Sequence, residues 1–178
     1  MEAVEIRRAD VARDWELIRS IDSSFEVEAV LVVQDDARGF HLAETPVEHP
    51  HTKSFELDRA STHEWEHVWL ALDREEPVGV IATQYSAWNR RVIIWHLYVS
   101  RSHRRRAIGR ALLDAALPSA MDEGARVAWL ETSNVNLSAV RAYERLGFRL
   151  CGLDTSLYEG TPAEGEVALY LCRWLAGD

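Results

Sequence analysis

This chain of 178 residues holds a single lysine, Lys53, and only two cysteines, Cys151 and Cys172. Two thiols cannot frame a disulfide scaffold at this length, so both are expected as reduced thiols. Long apolar runs are missing too. Leu31 to Val33 and Val92 to Trp95 are among the longest, far short of the roughly 20 residues that a membrane helix needs. The opening MEAVEIRRAD is too charged for a secretory signal, and no repeat or low-complexity segment is visible. These absences predict a cytoplasmic protein with no membrane partner. Positive charge is also short, at 20 Lys and Arg against 29 Asp and Glu, a net charge of -9. That balance argues against a general nucleic-acid binder and is compatible with a cationic small molecule reaching an acidic surface.

Against this background one stretch stands out. Val92 to Leu113, VIIWHLYVSRSHRRRAIGRALL, passes from a β-branched and aromatic run into a helix-like run with Ile108, Leu112, Ala115 and Ala116 on one period. Between them lie Arg101, Arg104, Arg105, Arg106 and Arg110 without a carboxylate. Such a run can be a plain solvated face. In an acidic chain, however, a basic turn feeding a helix N-terminus, with its unpaired N–H groups, is suited to holding a di- or polyphosphate.

In chain order, Val4 to Arg8 reads as a strand, and Asp10 can cap a helix carrying Val11, Trp15, Leu17, Ile18 and Ile21. Glu28 to Gln34 and Phe40 to Pro46 flank a turn at Asp35 to Gly39 and predict a hairpin; His49 to His67 reads mainly as connection. His63 and His67, with Glu64 between them, match the zincin pattern. The strand-like Val68 to Leu72 follows too closely for the helix such a site needs, so no metal is expected. Val68 to Leu72, Pro77 to Gln84 and the Val92 run form an antiparallel meander. A helix from about Ala107 to Glu123 ends at Gly124, with Pro118 expected to kink or split it. Val127 to Thr132 is the next strand, Asn136 caps a helix over Leu137 to Leu146, and Phe148 to Leu153 and Glu166 to Leu171 close the chain. The order predicts one α/β domain over residues 1–178: a single mixed, mostly antiparallel sheet with helices on both faces.

Leu97, Tyr98, Val99 followed by Arg104, Arg105, Arg106, Ala107, Ile108, Gly109 resembles the acetyl-coenzyme A (acetyl-CoA) motif of the GCN5-related N-acetyltransferase (GNAT) superfamily: Gln or Arg, two variable residues, Gly, any residue, Gly or Ala. Arg104 and Gly109 fit; Ala107 stands in place of the usual Gly, and Arg105 where many relatives have Gly. Asn134, Val135, Asn136 with Ala142 to Phe148 resembles the second signature of that superfamily. Ser86 to Arg91, Thr132 to Asn136 and Leu150 to Gly160 are similar to streptothricin (nourseothricin) acetyltransferases, with Ser24, Phe25, Thr52 and Lys53 adding to the likeness.

The resemblance implies the acyl-CoA N-acyltransferase fold and transfer of acetyl from acetyl-CoA to a primary amine of a small cationic molecule. It places the cofactor on Leu97, Tyr98, Val99, Arg104 to Arg110, Asn136 and Tyr143. Tyr143 corresponds to the tyrosine that protonates the departing sulfur, and the Val99 N–H to an oxyanion donor. Streptothricin enzymes carry acidic residues where this chain has Trp95, His96, Leu97 and Tyr98, which leaves two bases open: His96, titrating near neutrality, or Glu131 acting through a bridging water. Trp95, His96, Glu131, Asp154 and Tyr158, with Glu159 beside them, are the residues expected to meet substrate. A non-catalytic acyl-CoA binding module is the alternative, and a homodimer stays open.

Overall fold

The computed structural model describes residues 4–36, 39–55, 57 and 59–175, apart from the side chains of Asp36 and Ser61. The expected turn at Ala37 and Arg38 lies outside the described residues. Elements follow the order β1 (Glu5–Arg8), α1 (Val11–Arg19), β2 (Phe25–Asp36), β3 (Gly39–Lys53), β4 (His67–Asp73), β5 (Glu76–Ser86), β6 (Arg91–Val99), α2 (Ile108–Asp122), β7 (Val127–Ser133), α3 (Leu137–Arg145), β8 (Arg149–Asp154) and β9 (Ala168–Trp174). They fall into two compact units, one of Met1–Ser24, Ser54–Trp129 and Trp174–Asp178, the other of Phe25–Lys53 and Leu130–Arg173.

In the first unit the strands lie in the order β1-β4-β5-β6, all antiparallel, as the expected meander requires. Asp10 starts α1 by accepting from the N–H groups of Ala12 at 2.9 Å and Arg13 at 3.2 Å, satisfying two of the helix's orphan donors. Trp15 and Ile18 of α1 then pack with Ile21, Trp65, Val68, Leu70, Val80 and Ala82. The opposite face of β5 meets α2. A Cβ at Gly79 would lie 3.0 Å from Tyr98 O, 3.1 Å from Leu112 Cδ1 and 3.3 Å from Ile108 Cγ2, so glycine lets the helix sit this close without displacing its neighbours. Neighbouring strand residues face opposite ways, which puts α1 and α2 on the two faces of these strands.

Pro118 does not split α2, which runs through it from Ile108 to Asp122. Pro118 and Asp114, whose carbonyl loses its i+4 donor, are both exposed; water can serve that carbonyl, and the ring has room. Gly124, at φ 106°, ends the helix as expected.

In the second unit β2 and β3 pair with each other as a separate two-stranded antiparallel sheet. Here the sequence reading needs correction: β3 continues to Lys53, so His49, Pro50 and His51 belong to a strand and not to a connection. The register jumps between Val27 opposite His51 and Ala29 opposite Pro46, and the irregularity absorbs Pro50. The remaining strands run β7-β9-β8, with β8 and β9 antiparallel. Asn136 caps α3 through Oδ1, accepting from Ala139 N–H at 3.2 Å, and Gly147 at φ 90° follows its end. Buried Asn134 ties this unit together. Its Nδ2 donates to Leu31 O at 2.9 Å, its Oδ1 accepts from Val167 N–H at 2.8 Å, and its main chain bonds the same two residues.

Candidate active site

In the first unit the candidate residues gather at the end of β6. Ser100 N–H donates to Val78 O at 2.8 Å, and the register continues with Val99 opposite Gly79 and Leu97 opposite Ile81. Antiparallel pairing alternates direction residue by residue, so the N–H groups of Val99 and Leu97 point away from β5. A short 3-10 turn, Arg101–His103, leads to α2. Arg105 takes φ 63° and Ala107 φ 61°, left-handed values that cost a non-glycine residue about 1–2 kcal/mol each. Ala107 thus takes a left-handed conformation that glycine would adopt without strain. As the residue before α2 it offers no side-chain cap, and the first intrahelical bond is from Ala111 N–H to Ala107 O. The N–H groups at the start of this 15-residue helix therefore lack intrahelical partners, and with left-handed residues just ahead the turn has the chemistry to hold an anion.

The arginines divide their labour. Arg104 turns inward, its Nε donating to Val99 O at 3.1 Å and its guanidinium to Ser24 O at 2.5 Å, so it clamps the loop to β6. Burial lowers its pKa, with Asp22 acting in the other direction. Arg106 pairs with Asp73 of β4 at 3.0 Å, and His103 reaches the same carboxylate at 3.3 Å. The Arg106 hydrogen bond holds Asp73 below the usual carboxylate range. The sequence showed no carboxylate among the arginines; the fold brings one from the β4–β5 turn. Arg101, Arg105 and Arg110 are exposed.

His96 lies half-buried on β6, Nδ1 3.1 Å from the Tyr98 hydroxyl and its ring edge-on to Trp65 at 5.0 Å between centroids. Desolvation pushes its pKa down to about 4, so the imidazole is neutral at pH 7 and a weak base. Trp95 sits at a register shift and donates from Nε1 to Gln84 Oε1 at 3.2 Å. The zincin-like pair is separated: His63 belongs to the 3-10 stretch Arg59–Glu64, while His67 opens β4, bridging Arg8 at 2.6 Å and Glu123 at 2.9 Å.

The second unit gathers Glu131, Tyr143, Asp154 and Tyr158. Tyr158 donates its hydroxyl to Glu131 Oε1. Desolvation raises the Glu131 pKa, the Tyr158 hydrogen bond lowers it, and the Glu166 charge raises it further. A carboxylate with net upward displacement is a better proton acceptor than an ordinary one. Tyr143, on α3, packs edge-on against Phe148 at 5.9 Å between centroids; burial first, then the Glu131 charge, keeps its phenol protonated well beyond the ordinary range. Tyr170 is raised by burial, Asp154 and Glu131. Asp154 caps the following turn, accepting from Ser156 N–H and Oγ at 2.8 Å each. Asn136 Oδ1 is engaged at the α3 cap and also accepts from Ser138 Oγ. Sequence reasoning missed Glu166, which pairs with Lys53 and accepts from Ser133 Oγ at 2.5 Å, and it missed Ser24 and Asp73 as loop anchors. Partners so distant along the chain leave no local periodic signal.

The model of the acetyltransferase (GNAT) family matches residues 32–148. Streptothricin acetyltransferase of Streptomyces lavendulae is 40% identical over 167 residues, covering 89% of this chain and 88% of its own. The crystal structure of nourseothricin acetyltransferase superposes with a TM-score of 0.88 at 39% identity, covering 98% of this chain and 100% of the other. A Bacillus anthracis Ames chain crystallised in complex with acetyl coenzyme A gives a TM-score of 0.81 at 26% identity, again over 98% and 100%.

Proposed function

The chain belongs to the acetyltransferase (GNAT) family, and from that premise we propose that it moves the acetyl group of acetyl-CoA to a primary amine of a streptothricin-type antibiotic. The observation that carries this reading is whole-length similarity: 40% identity to a streptothricin acetyltransferase over 89% of the chain. The N–H groups at the start of α2 receive the pyrophosphate, with Arg105 and Arg110 beside them, while Arg104 fixes the loop that presents them. The reaction is a direct displacement. The substrate ammonium loses a proton to Glu131 through water, the freed lone pair attacks the thioester carbonyl, and the Val99 N–H stabilises the oxyanion. As the C–S bond breaks, the sulfur takes the Tyr143 proton to leave as the coenzyme A thiol, and the second proton of the acetylated nitrogen passes through water to restore the phenol. Of the two bases left open by the sequence, Glu131 is favoured over His96, because an imidazole desolvated to about 4 has too little basicity.

The cytoplasm, where acetyl-CoA and reduced thiols coexist, is the compartment this reading assigns, and Cys151 and Cys172 are unbridged. The test is acetyl-CoA consumption followed by thiol release with streptothricin and with a panel of small amines. Release that saturates with streptothricin at micromolar to millimolar concentration supports the assignment. Binding of acetyl-CoA with turnover only on unrelated amines overturns the antibiotic and keeps the chemistry.

A further inference from the structure

The one lysine of the chain sits where its charge meets the reactive carboxylate's neighbour. Lys53, the last residue of β3, places Nζ on Glu166 Oε1, and the two side chains are 22% and 16% exposed. The other Glu166 oxygen accepts from Ser133 Oγ at 2.5 Å, and Ser133 Oγ in turn accepts from Val135 N–H at 3.2 Å, which fixes the hydroxyl's direction. Ser133 and Glu131 are two residues apart on β7, so their side chains share one face of the strand. Tyr158 donates its hydroxyl to Glu131.

We infer that Lys53 and Glu166, oriented by Ser133, are positioning residues for Glu131, a balanced charge pair that sets how readily this carboxylate gains and gives up a proton. The inference rests on Glu131 being the base of the proposed reaction. The groups that act on Glu131 are Tyr158 from the β8–β9 loop, Tyr143 from α3, Tyr170 from β9 and Glu166 just before β9. Of these Glu166 is the one carboxylate, and Lys53 is the basic residue paired with it. Lysine also suits the geometry better than arginine. Its ammonium is a point charge that occupies one oxygen and leaves the second to Ser133, whereas a guanidinium fork takes both.

The test is the acid limb of kcat/KM with one amine substrate, compared among variants so that the substrate's own titration cancels. Lys53→Met leaves Glu166 uncompensated, disfavours ionised Glu131 and moves the midpoint up by about one pH unit. Glu166→Gln leaves the ammonium uncompensated and moves it down by a similar amount. Lys53→Arg keeps the charge and leaves the midpoint near that of the unmodified chain. The double variant Lys53→Met with Glu166→Gln returns to within a few tenths of a unit. A merely structural pair lowers Tm in every variant and leaves the midpoint in place. If Glu131→Gln abolishes the acid limb while the Lys53 and Glu166 variants do not move it, the inference falls and the base assignment stands. If Glu131→Gln leaves the limb intact, the base assignment falls first and takes the inference with it.

Discussion

Tyr158 donates its hydroxyl hydrogen bond to the Glu131 carboxylate, an interaction that favours the ionised acid and opposes the desolvation that raises its pKa. Tyr158→Phe removes the opposing effect and keeps the desolvation. The acid limb of kcat/KM then moves to higher pH, and activity at pH 6 falls more than activity at pH 8. A pH–rate profile of the two proteins checks this.

Tyr143→Phe removes the hydroxyl proposed to protonate the sulfur and retains the edge-on packing on Phe148. Turnover is expected to fall about 100-fold, the lower end of what a general acid contributes, with acetyl-CoA affinity changed less than about twofold. Stopped-flow turnover and calorimetric binding separate the two quantities. Equal losses in both assign the tyrosine to packing.

His96 carries a stability signature. Its folded pKa of about 4 lies below its unfolded value, so between pH 6.5 and 4 the unfolded chain binds a proton that the folded chain does not. Stability contributed by the neutral, buried ring is complete above pH 6.5 and is lost as pH falls through that window, by at most about 3 kcal/mol. His96→Phe keeps an aromatic ring against Trp65 and removes the titration, so thermal melts at pH 7 and pH 5 differ less in the variant than in the unmodified chain.

Arg104→Met deletes the hydrogen bonds to Val99 O and Ser24 O. Bonds from a charged donor contribute about 1.5–3 kcal/mol each, and part of that loss appears as loosening of the loop ahead of α2. Acetyl-CoA affinity is expected to fall at least tenfold, which titration calorimetry reads directly. Lysine presents its donors from a single nitrogen and cannot reach both carbonyls as the Nε and the guanidinium terminus do.

What the sequence carried legibly was local. Asp10, Asn136, Gly124 and Gly147 mark helix ends through capping chemistry that involves only near neighbours, and each does so in the fold. The turn before α2 was legible for the same reason, since its basic residues and small positions are contiguous. Its internal division was not. That Arg104 faces Ser24 and Arg106 faces Asp73 depends on how distant segments meet, and β-sheet partners have no fixed separation in sequence. Lys53 and Glu166 were hidden likewise, and the length of β3 was masked by Pro46 and Pro50, residues that ordinarily argue against a strand.

The central claim is acetyl transfer from acetyl-CoA to a streptothricin-type amine, and mass spectrometry of streptothricin after incubation with the chain and acetyl-CoA tests it most directly. A monoacetylated antibiotic forming in step with free coenzyme A, and failing to form with Tyr143→Phe on the same timescale, is the predicted result. Unmodified antibiotic after prolonged incubation, with the thioester intact, contradicts it.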